Sequence, residues 1–264
     1  MDGSISFNSN SLQTFNRTTR TGIIVDHIDL ESGAERKFDV FALAHSNESV
    51  IPSDELPSKI IPITGTLVSD TPNNLSALLD TFRGYLNGRS KNLDVGYGGI
   101  VRRYVATAQA PVITRSEDKK YATFTLSFAC TVPFGVDTSN TTALNGTART
   151  LNNYTDSYTF LGSAPVQLPV ITITLTAVSS TGSQQLFFGN NDTGQTIVIT
   201  RANWTTADVV VIDCAQRLVT INGVVVDFTG AFPEFTPGAH SMIYGDTFNS
   251  RTMTENVVYA KRYA

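Results

Sequence analysis

The chain has 264 residues, 41% of them hydrophobic, which is enough apolar material for one large core or two smaller ones. Lysine and arginine number 19 and aspartate and glutamate 23, so the net charge of −4 leaves no basic surplus to favour nucleic acid or anionic lipid. No apolar run approaches the ~20 residues that span a bilayer, and residues 1–11 lack the basic and apolar regions of a signal peptide. We therefore expect no membrane insertion and no secretory signal.

The N-terminal half reads as short β-strands separated by Gly, Pro and charged turns. The predicted strands cover residues 21–30, 37–44, 59–68, 93–108 and 121–132. In the last of them, apolar residues recur at period two and indicate a buried face: Phe124, Leu126, Phe128, Cys130 and Val132. We interpret the Gly-Tyr-Gly-Gly sequence at 96–99 as a bulge within a strand, not as a phosphate-binding loop.

One amphipathic helix interrupts these strands. Asp70 or Thr71 can cap its first turn, Pro72 suits the first helical position, and Gly88 can end it. Its apolar residues recur at helical spacing: Leu75, Leu78, Leu79, Phe82 and Leu86. The pattern predicts a helix over residues 72–87 with this face packed on the N-terminal sheet.

A polar, Asn- and Thr-rich stretch at residues 137–153 has no apolar periodicity and is predicted to be a linker or long crossover. Charged residues are denser before this stretch than after it. We therefore place a domain boundary here, which gives domains of residues 1–138 and 139–264.

The C-terminal half reads almost entirely as short strands, at residues 169–178, 184–190, 196–201, 208–213, 217–221, 224–228 and 255–263. Asn222-Gly223 lies between two apolar runs and predicts a two-residue type I′ hairpin. The spacing of the turns favours a sandwich or jelly roll. After the hairpin, the phenylalanines at 228, 232 and 235 are predicted to plug the end of that sandwich.

Residues that could carry catalysis or hold a cofactor form no recognised pattern. The histidines at 27, 45 and 240 stand apart, and the paired acids at 54–55 and 117–118 lie in polar, turn-like sequences. Nucleotide-binding and nucleophile motifs are also missing from the sequence. We expect no catalytic residues, no metal and no cofactor, and we expect Cys130 and Cys214 to be buried free thiols.

Trp204 is the only tryptophan of the chain and has two interpretations. Large aromatic residues usually pack in a core or hairpin. An exposed ring could instead stack on a sugar. Trp204 is therefore a candidate for a glycan contact.

Two stretches, taken together, resemble the distal tail proteins of long-tailed, siphovirus-type bacteriophages. In residues 60–134 a strand, one amphipathic helix, an Arg-x-Tyr-type strand and a strand ending in Pro-Phe follow one another. In residues 219–240 an Asn-Gly hairpin precedes a Gly-x-Phe-Pro-x-Phe-x-Pro-Gly corner. The corner of that family usually continues into Gly-x-Asn, whereas this chain has Ala239 and His240 after Gly238.

The resemblance implies a mainly β fold of two β-sandwich domains. The N-terminal one would contain the single packed helix, and the C-terminal one would be jelly-roll or galectin-like, similar to a carbohydrate module. Residues 1–138 would form a hexameric ring that joins the tail tube to the tail-tip or receptor-binding apparatus. The family has no catalytic residues to carry over.

The same resemblance implies the partners: other copies of the chain, the tail tube protein, and the tail-tip hub and receptor-binding proteins. DNA would pass through the channel without specific binding. The protein would be made in the host cytoplasm and reside in the virion, at the tail tip. The alternative is a carbohydrate-binding protein that adheres to host glycan through its C-terminal sandwich.

Overall fold

The computed structural model describes residues 4–30, 58–179 and 181–264, and the backbone of residues 37–38, 41–42, 49–50 and 54–55. The chain divides into two compact units, residues 1–138 with Ala264, and residues 139–263. The first unit contains strands β1 Ser4–Phe7, β2 Asn10–Ser11, β3 Gly22–Ile28, β4 Lys37–Phe38, β5 Phe41–Ala42, β6 Ser49–Val50, β7 Asp54–Glu55 and β8 Lys59–Val68. Helix α1 Pro72–Tyr85 follows, and then β9 Lys91–Tyr97, β10 Ile100–Ala108, β11 Val112–Arg115 and β12 Tyr121–Cys130.

The strands of the first unit form a curved antiparallel sheet around one core. Its order is β2-β1-β9-β10, after which the end of β10 pairs with β12, and β12 continues through β8 to β3. The segment that follows β2 joins the two ends of this order, because Leu12 donates to Ile5 O and Thr14 donates to Ile23 O. The rings of Phe7 in β1 and Phe128 in β12 meet across the core at 4.9 Å.

Helix α1 fills this core, as its apolar spacing predicts. The Thr71 side chain accepts a hydrogen bond from Asn74 N and caps the first turn. The helix ends at Tyr85, two residues before the predicted end, because the Leu86 and Asn87 amides turn back to donate to the carbonyls of Arg83 and Gly84, respectively. The predicted apolar face is buried except for Leu78, which is half-buried.

The predicted strand over residues 93–108 is two strands, and the bulge interpretation of residues 96–99 is wrong. Strands β9 and β10 form a hairpin in which Tyr97 pairs directly with Ile100. Gly98 and Gly99 form its two-residue turn with φ of 59° and 83°. Two successive positive φ angles are the requirement of a type I′ turn, which glycine meets without steric cost.

The second unit is a sandwich of two sheets. Its strands are β13 Gly135–Arg149, whose residues 135–138 belong to the first unit, β14 Asn153–Phe160, β15 Val170–Ser179, β16 Ser183–Asn190, β17 Gln195–Ala202, β18 Val209–Asp213, β19 Leu218–Ile221, β20 Val224–Val225, β21 Thr229–Gly230, β22 Gly238–Asp246 and β23 Ser250–Tyr263. One sheet has the order β13-β23-β15-β18-β19-β20, and the other has the order β14-β22-β16-β17-β21. Side chains of both sheets contribute to a common core, among them Ile173, Phe188 and Tyr244.

The stretch predicted as a linker is mostly β-strand. Strand β13 covers residues 135–149, and β14 begins at Asn153. Most side chains of residues 137–149 are exposed or half-buried, so the strand shows no apolar alternation in the sequence. Backbone pairing to β10 and β23, together with a threonine-rich composition, favours the extended conformation instead.

The predicted fold class is confirmed: the chain is mainly β, with α1 as the α-helix of the described residues. The Asn222-Gly223 hairpin is also confirmed, with φ of 54° and 78° at the turn between β19 and β20. Within the described part of the chain, no helix is both long and apolar enough to cross a membrane.

Candidate functional site

The tip of the β9–β10 hairpin leaves two large apolar side chains of the first unit in contact with water. Tyr97 is 74% exposed and its cross-strand partner Ile100 is 51% exposed. Tyr97 and Ile100 also line a cleft of about 750 Å³, whose apolar residues include Ile5, Val25 and Val95. An aromatic and a branched side chain left in water at one tip are typical of a surface that contacts another molecule.

Charged side chains surround this apolar feature. The side chain of Arg103 binds Asp94 through two hydrogen bonds of 2.7 and 2.8 Å, which fix the neighbouring strands β9 and β10 to each other. Arg102 faces the other side of the sheet, where it lines the cleft together with His27 and Asp29. The two arginines therefore lie on opposite faces, as strand alternation predicts.

The phenylalanines of the corner after β20 plug the sandwich, as predicted. Phe235 lies in the core and stacks on Phe160, with ring centroids 4.3 Å apart and planes 12° apart. Phe232 is buried and contacts the half-buried Phe228 edge to face at 5.0 Å. Packing of these three rings thus explains why the corner after β20 is rich in apolar residues.

His240 follows the corner at a position where distal tail proteins usually continue into Gly-x-Asn. In this chain it holds the corner in place. Its Nδ1 lies 3.0 Å from Asp192 Oδ2, and its Nε2 lies 3.0 Å from Thr236 O. Phe160 and Phe235 contact the imidazole ring edge-on. The histidine therefore joins the corner to the turn before β17 in the second unit.

Trp204 is buried in the second unit, with 4% of its surface exposed. Its Nε1 donates to Gln184 O over 3.1 Å, and its ring packs edge to face on Phe248 at 5.4 Å. In this position the ring presents no open face on which a sugar could stack. The glycan contact stays a prediction, and it requires the ring to leave the core.

A buried charged cluster that the sequence did not predict lies between β13, β14 and β23. Arg149 Nη2 lies 2.5 Å from Asp156 Oδ2, and Arg149 Nε lies 3.7 Å from Glu255 Oε2. Glu255 is 1% exposed, and neither of its carboxylate oxygens accepts a hydrogen bond from the described residues. Burial raises the pKa of Glu255 to about 7; the Asp156 carboxylate adds to the rise and Arg149 opposes it.

The remaining candidate groups of the sequence do not converge. The described residues contain no group of three or more His, Cys, Asp or Glu side chains that could hold a metal. Cys130 and Cys214 are free and buried, and burial raises the pKa of Cys130 to about 11. Asp118 accepts bonds from Ser116 Oγ and Lys120 N in an exposed turn. His45 and the side chains of residues 54–55 lie outside the described residues.

Comparison with known proteins finds one matching family and a similar solved structure, both of them from phage tails. Residues 161–263 match the family described as siphovirus-type tail component, C-terminal domain. No curated protein sequence matches the chain. The structure is similar to the SPP1 Dit protein, described as a paradigm of the hub adsorption apparatus in phages that infect Gram-positive bacteria. The TM-score is 0.71, with 10% identity over 100% of both chains.

A weaker similarity links the chain to the phage P2 baseplate in its activated conformation. With the calcium form the TM-score is 0.44 at 8% identity, over 97% of this chain and 98% of the other. With the strontium form the TM-score is 0.41 at 10% identity, over 96% and 97%. The resemblance to distal tail proteins is confirmed: residues 161–263 match the model of the siphovirus-type tail component family, and the whole chain shares the fold of SPP1 Dit.

Proposed function

We propose that this protein is a structural component of a bacteriophage tail tip, where it joins the tail tube to the tail-tip or receptor-binding apparatus. The observation that carries the proposal is the match of residues 161–263 to a tail component family. The shared fold with SPP1 Dit over the full length supports it. The role is architectural, so no catalytic residue, metal or cofactor is assigned.

The proposed assembly is a ring of six copies formed by the first unit. A closed ring needs a heterologous interface, in which one surface of a subunit meets a different surface of the next. The exposed side chains of Tyr97 and Ile100 at the β9–β10 tip supply one such surface. Burying them against a neighbour removes from water the largest apolar groups at that tip.

The second unit, in this proposal, projects from the ring and contacts the tail-tip hub and receptor-binding proteins. DNA passes through the ring during ejection without specific binding, to which the net charge of −4 per chain is suited. The mature protein resides in the virion after synthesis in the host cytoplasm.

Light scattering on the full chain tests the role of the hairpin. The unaltered chain is expected to have a mass six times its 28.6 kDa. The double variant Tyr97→Ser, Ile100→Ser is expected to lower that mass. The control Val224→Ser, Val225→Ser alters two exposed valines of the second unit and is expected to leave the mass unchanged.

Two results would contradict the proposal. A hexamer that survives the hairpin variant would remove the hairpin from the interface. A hexamer that dissociates in the Val224, Val225 control, with the hairpin variant intact, would assign assembly to the second unit.

A further inference from the structure

The outer face of the second unit's sheet β14-β22-β16-β17 carries no formal charge in these four described strands. The register places odd-numbered residues of β14, β22 and β16, and even-numbered residues of β17, on this outer face. Those positions hold Asn, Gln, Ser, Thr, Ala, Gly, Val, Ile and Phe. Sheet faces in contact with water usually carry charged side chains.

The charges of the same strands point inward or lie at the sheet ends, where they have partners. Asp156 binds Arg149, and Asp246 binds Arg251. Arg201 Nη1 lies 3.1 Å from Asp208 Oδ2. The outer face of these four strands therefore carries neutral polar side chains but no charged ones.

Phe187 lies at the centre of this face. It pairs across the strands with Gly245 on one side and Val198 on the other. Its ring covers Gly245, because a Cβ at position 245 would lie 2.0 Å from Phe187 Cζ. Phe187 is half-buried, so part of the ring stays open to solvent.

Exposed amide and hydroxyl groups surround the Phe187 ring. Gln185 is the next outward residue of the same strand, and its Nε2 lies 3.4 Å from Thr200 Oγ1. Asn153 is directly opposite Gly245 on the far side of β22, and Thr155 follows it. These groups both donate and accept hydrogen bonds and carry no charge.

We propose that this face binds a neutral saccharide, with one sugar ring stacked on Phe187 and its hydroxyl groups bonded to Asn153, Gln185 and Thr200. A pyranose has an apolar C–H face that gains from contact with an aromatic ring, and its rim of hydroxyl groups needs neutral donors and acceptors. A neutral ligand also avoids the desolvation cost that an unpaired charge would bring. The site goes beyond the architectural role and does not use Trp204.

The composition of the face favours a saccharide over a protein partner. Cores of protein interfaces are enriched in aromatic residues, Met and Arg and depleted in Ser. On this face the outward positions of β14, β16 and β17 include no Met or Arg and one aromatic residue, Phe187, whereas Ser and Thr supply half of them. Val198 and Ile243 are the aliphatic neighbours and are half-buried.

Calorimetric titration of the full chain tests the site. The probes are four neutral tetrasaccharides, namely those of β-1,4-glucose, α-1,4-glucose, β-1,4-N-acetylglucosamine and β-1,4-mannose, with tetragalacturonate as the anionic control. At least one neutral probe is expected to bind with a Kd of about 1 mM or tighter, and the anionic probe more weakly.

Variants of Phe187 separate stacking from packing. Phe187→Leu keeps apolar cover over Gly245 but removes the ring, and it is expected to weaken binding by about tenfold or more. Phe187→Tyr keeps the ring and is expected to retain binding. Tyr121→Ser removes an exposed aromatic of the first unit that lies outside the β9–β10 tip, and it is expected to leave saccharide binding unchanged. Fluorescence of Trp204 checks that each variant keeps a folded second unit.

The proposal is overturned if no neutral probe binds, or if Phe187→Leu binds as tightly as the unaltered chain. It is also overturned if Thr200→Lys lowers the assembled mass while no saccharide binds, because the face is then a protein contact. The ring test measures mass alone, so failure of the saccharide site and failure of the tail role are distinguishable.

Discussion

The substitution Glu255→Gln is expected to stabilise the second unit at high pH, although it removes a partner of a buried arginine. Glu255 is 1% exposed, its carboxylate oxygens accept no hydrogen bond from the described residues, and Arg149 Nε is 3.7 Å away. A charge in this position loses its hydration, and contacts within the protein compensate little of that free-energy cost. Glutamine keeps the shape of the side chain without the charge.

The size of the effect follows from the pKa of Glu255, which burial raises from 4.5 to about 7. At about 1.36 kcal/mol per pH unit, this rise corresponds to about 3 kcal/mol of destabilisation when the carboxylate is fully ionised. As pH rises from about 4.5 to 7, the unfolded chain releases this proton while the folded chain keeps it. The stability contributed by Glu255 is therefore complete below about 4.5 and is lost by the time pH passes 7.

Urea unfolding followed by Trp204 fluorescence measures this prediction in the correct unit, because the only tryptophan lies in the same core as β23. The variant should match the unaltered chain near pH 4.5 and exceed it by about 3 kcal/mol at pH 8. Asp156→Asn is the control: it removes the 2.5 Å partner of Arg149 and should destabilise the unit at pH 8. An equal or lower stability of Glu255→Gln at pH 8 would refute the reasoning, because it would mean that Arg149 compensates the carboxylate in full.

Other predictions concern the two cores. Leu79→Ala is expected to cost about 2–5 kcal/mol, since Leu79 is fully buried between helix and sheet, and an unchanged thermal midpoint would contradict this packing. Thiol titration without reductant should find Cys130 and Cys214 unreactive in the native chain and both reactive after denaturation. A denatured chain with no reactive thiol would indicate a disulfide. Trp204 should resist quenching by acrylamide, and ready quenching would show that its ring leaves the core.

Elements with a strong apolar period could be predicted from the sequence. Strand β8 begins and ends at the predicted residues 59 and 68, because isoleucines at 61 and 63 alternate with exposed positions. Helix α1 was recognisable from Thr71, Pro72 and its apolar spacing. In each case one face of the element is buried, so apolar residues recur in the sequence at the spacing of that face.

Strand β13 could not be predicted in this way, because its pairing comes from the backbone and its side chains are largely outside the core. Strand β14 did offer a signal, since Tyr154, Tyr158 and Phe160 alternate with exposed residues. The signal was masked by the polar residues around it. The Gly98-Gly99 turn lies between two runs of β-forming residues, which together have the pattern of one long strand with a bulge, and only the pairing of Tyr97 with Ile100 distinguishes the two.

Sites that depend on strand register or on contacts between distant residues could not be predicted from the sequence. Phe187 and Phe188 are adjacent and equally apolar, and the register alone shows that Phe187 faces outward. In the cluster of Arg149, Asp156 and Glu255, the buried Glu255 is 106 positions from Arg149. No local pattern marks such a contact.

The most direct test of the central claim is negative-stain electron microscopy of the full chain at several concentrations. The account predicts closed rings of six copies, with the first units in the ring and the second units projecting from it. A label placed at Tyr97 should appear within the ring, and a label at Val224 should appear on the projections. A chain that stays monomeric at every concentration, also when tail tube protein is added, or rings built from the second units, would contradict the account.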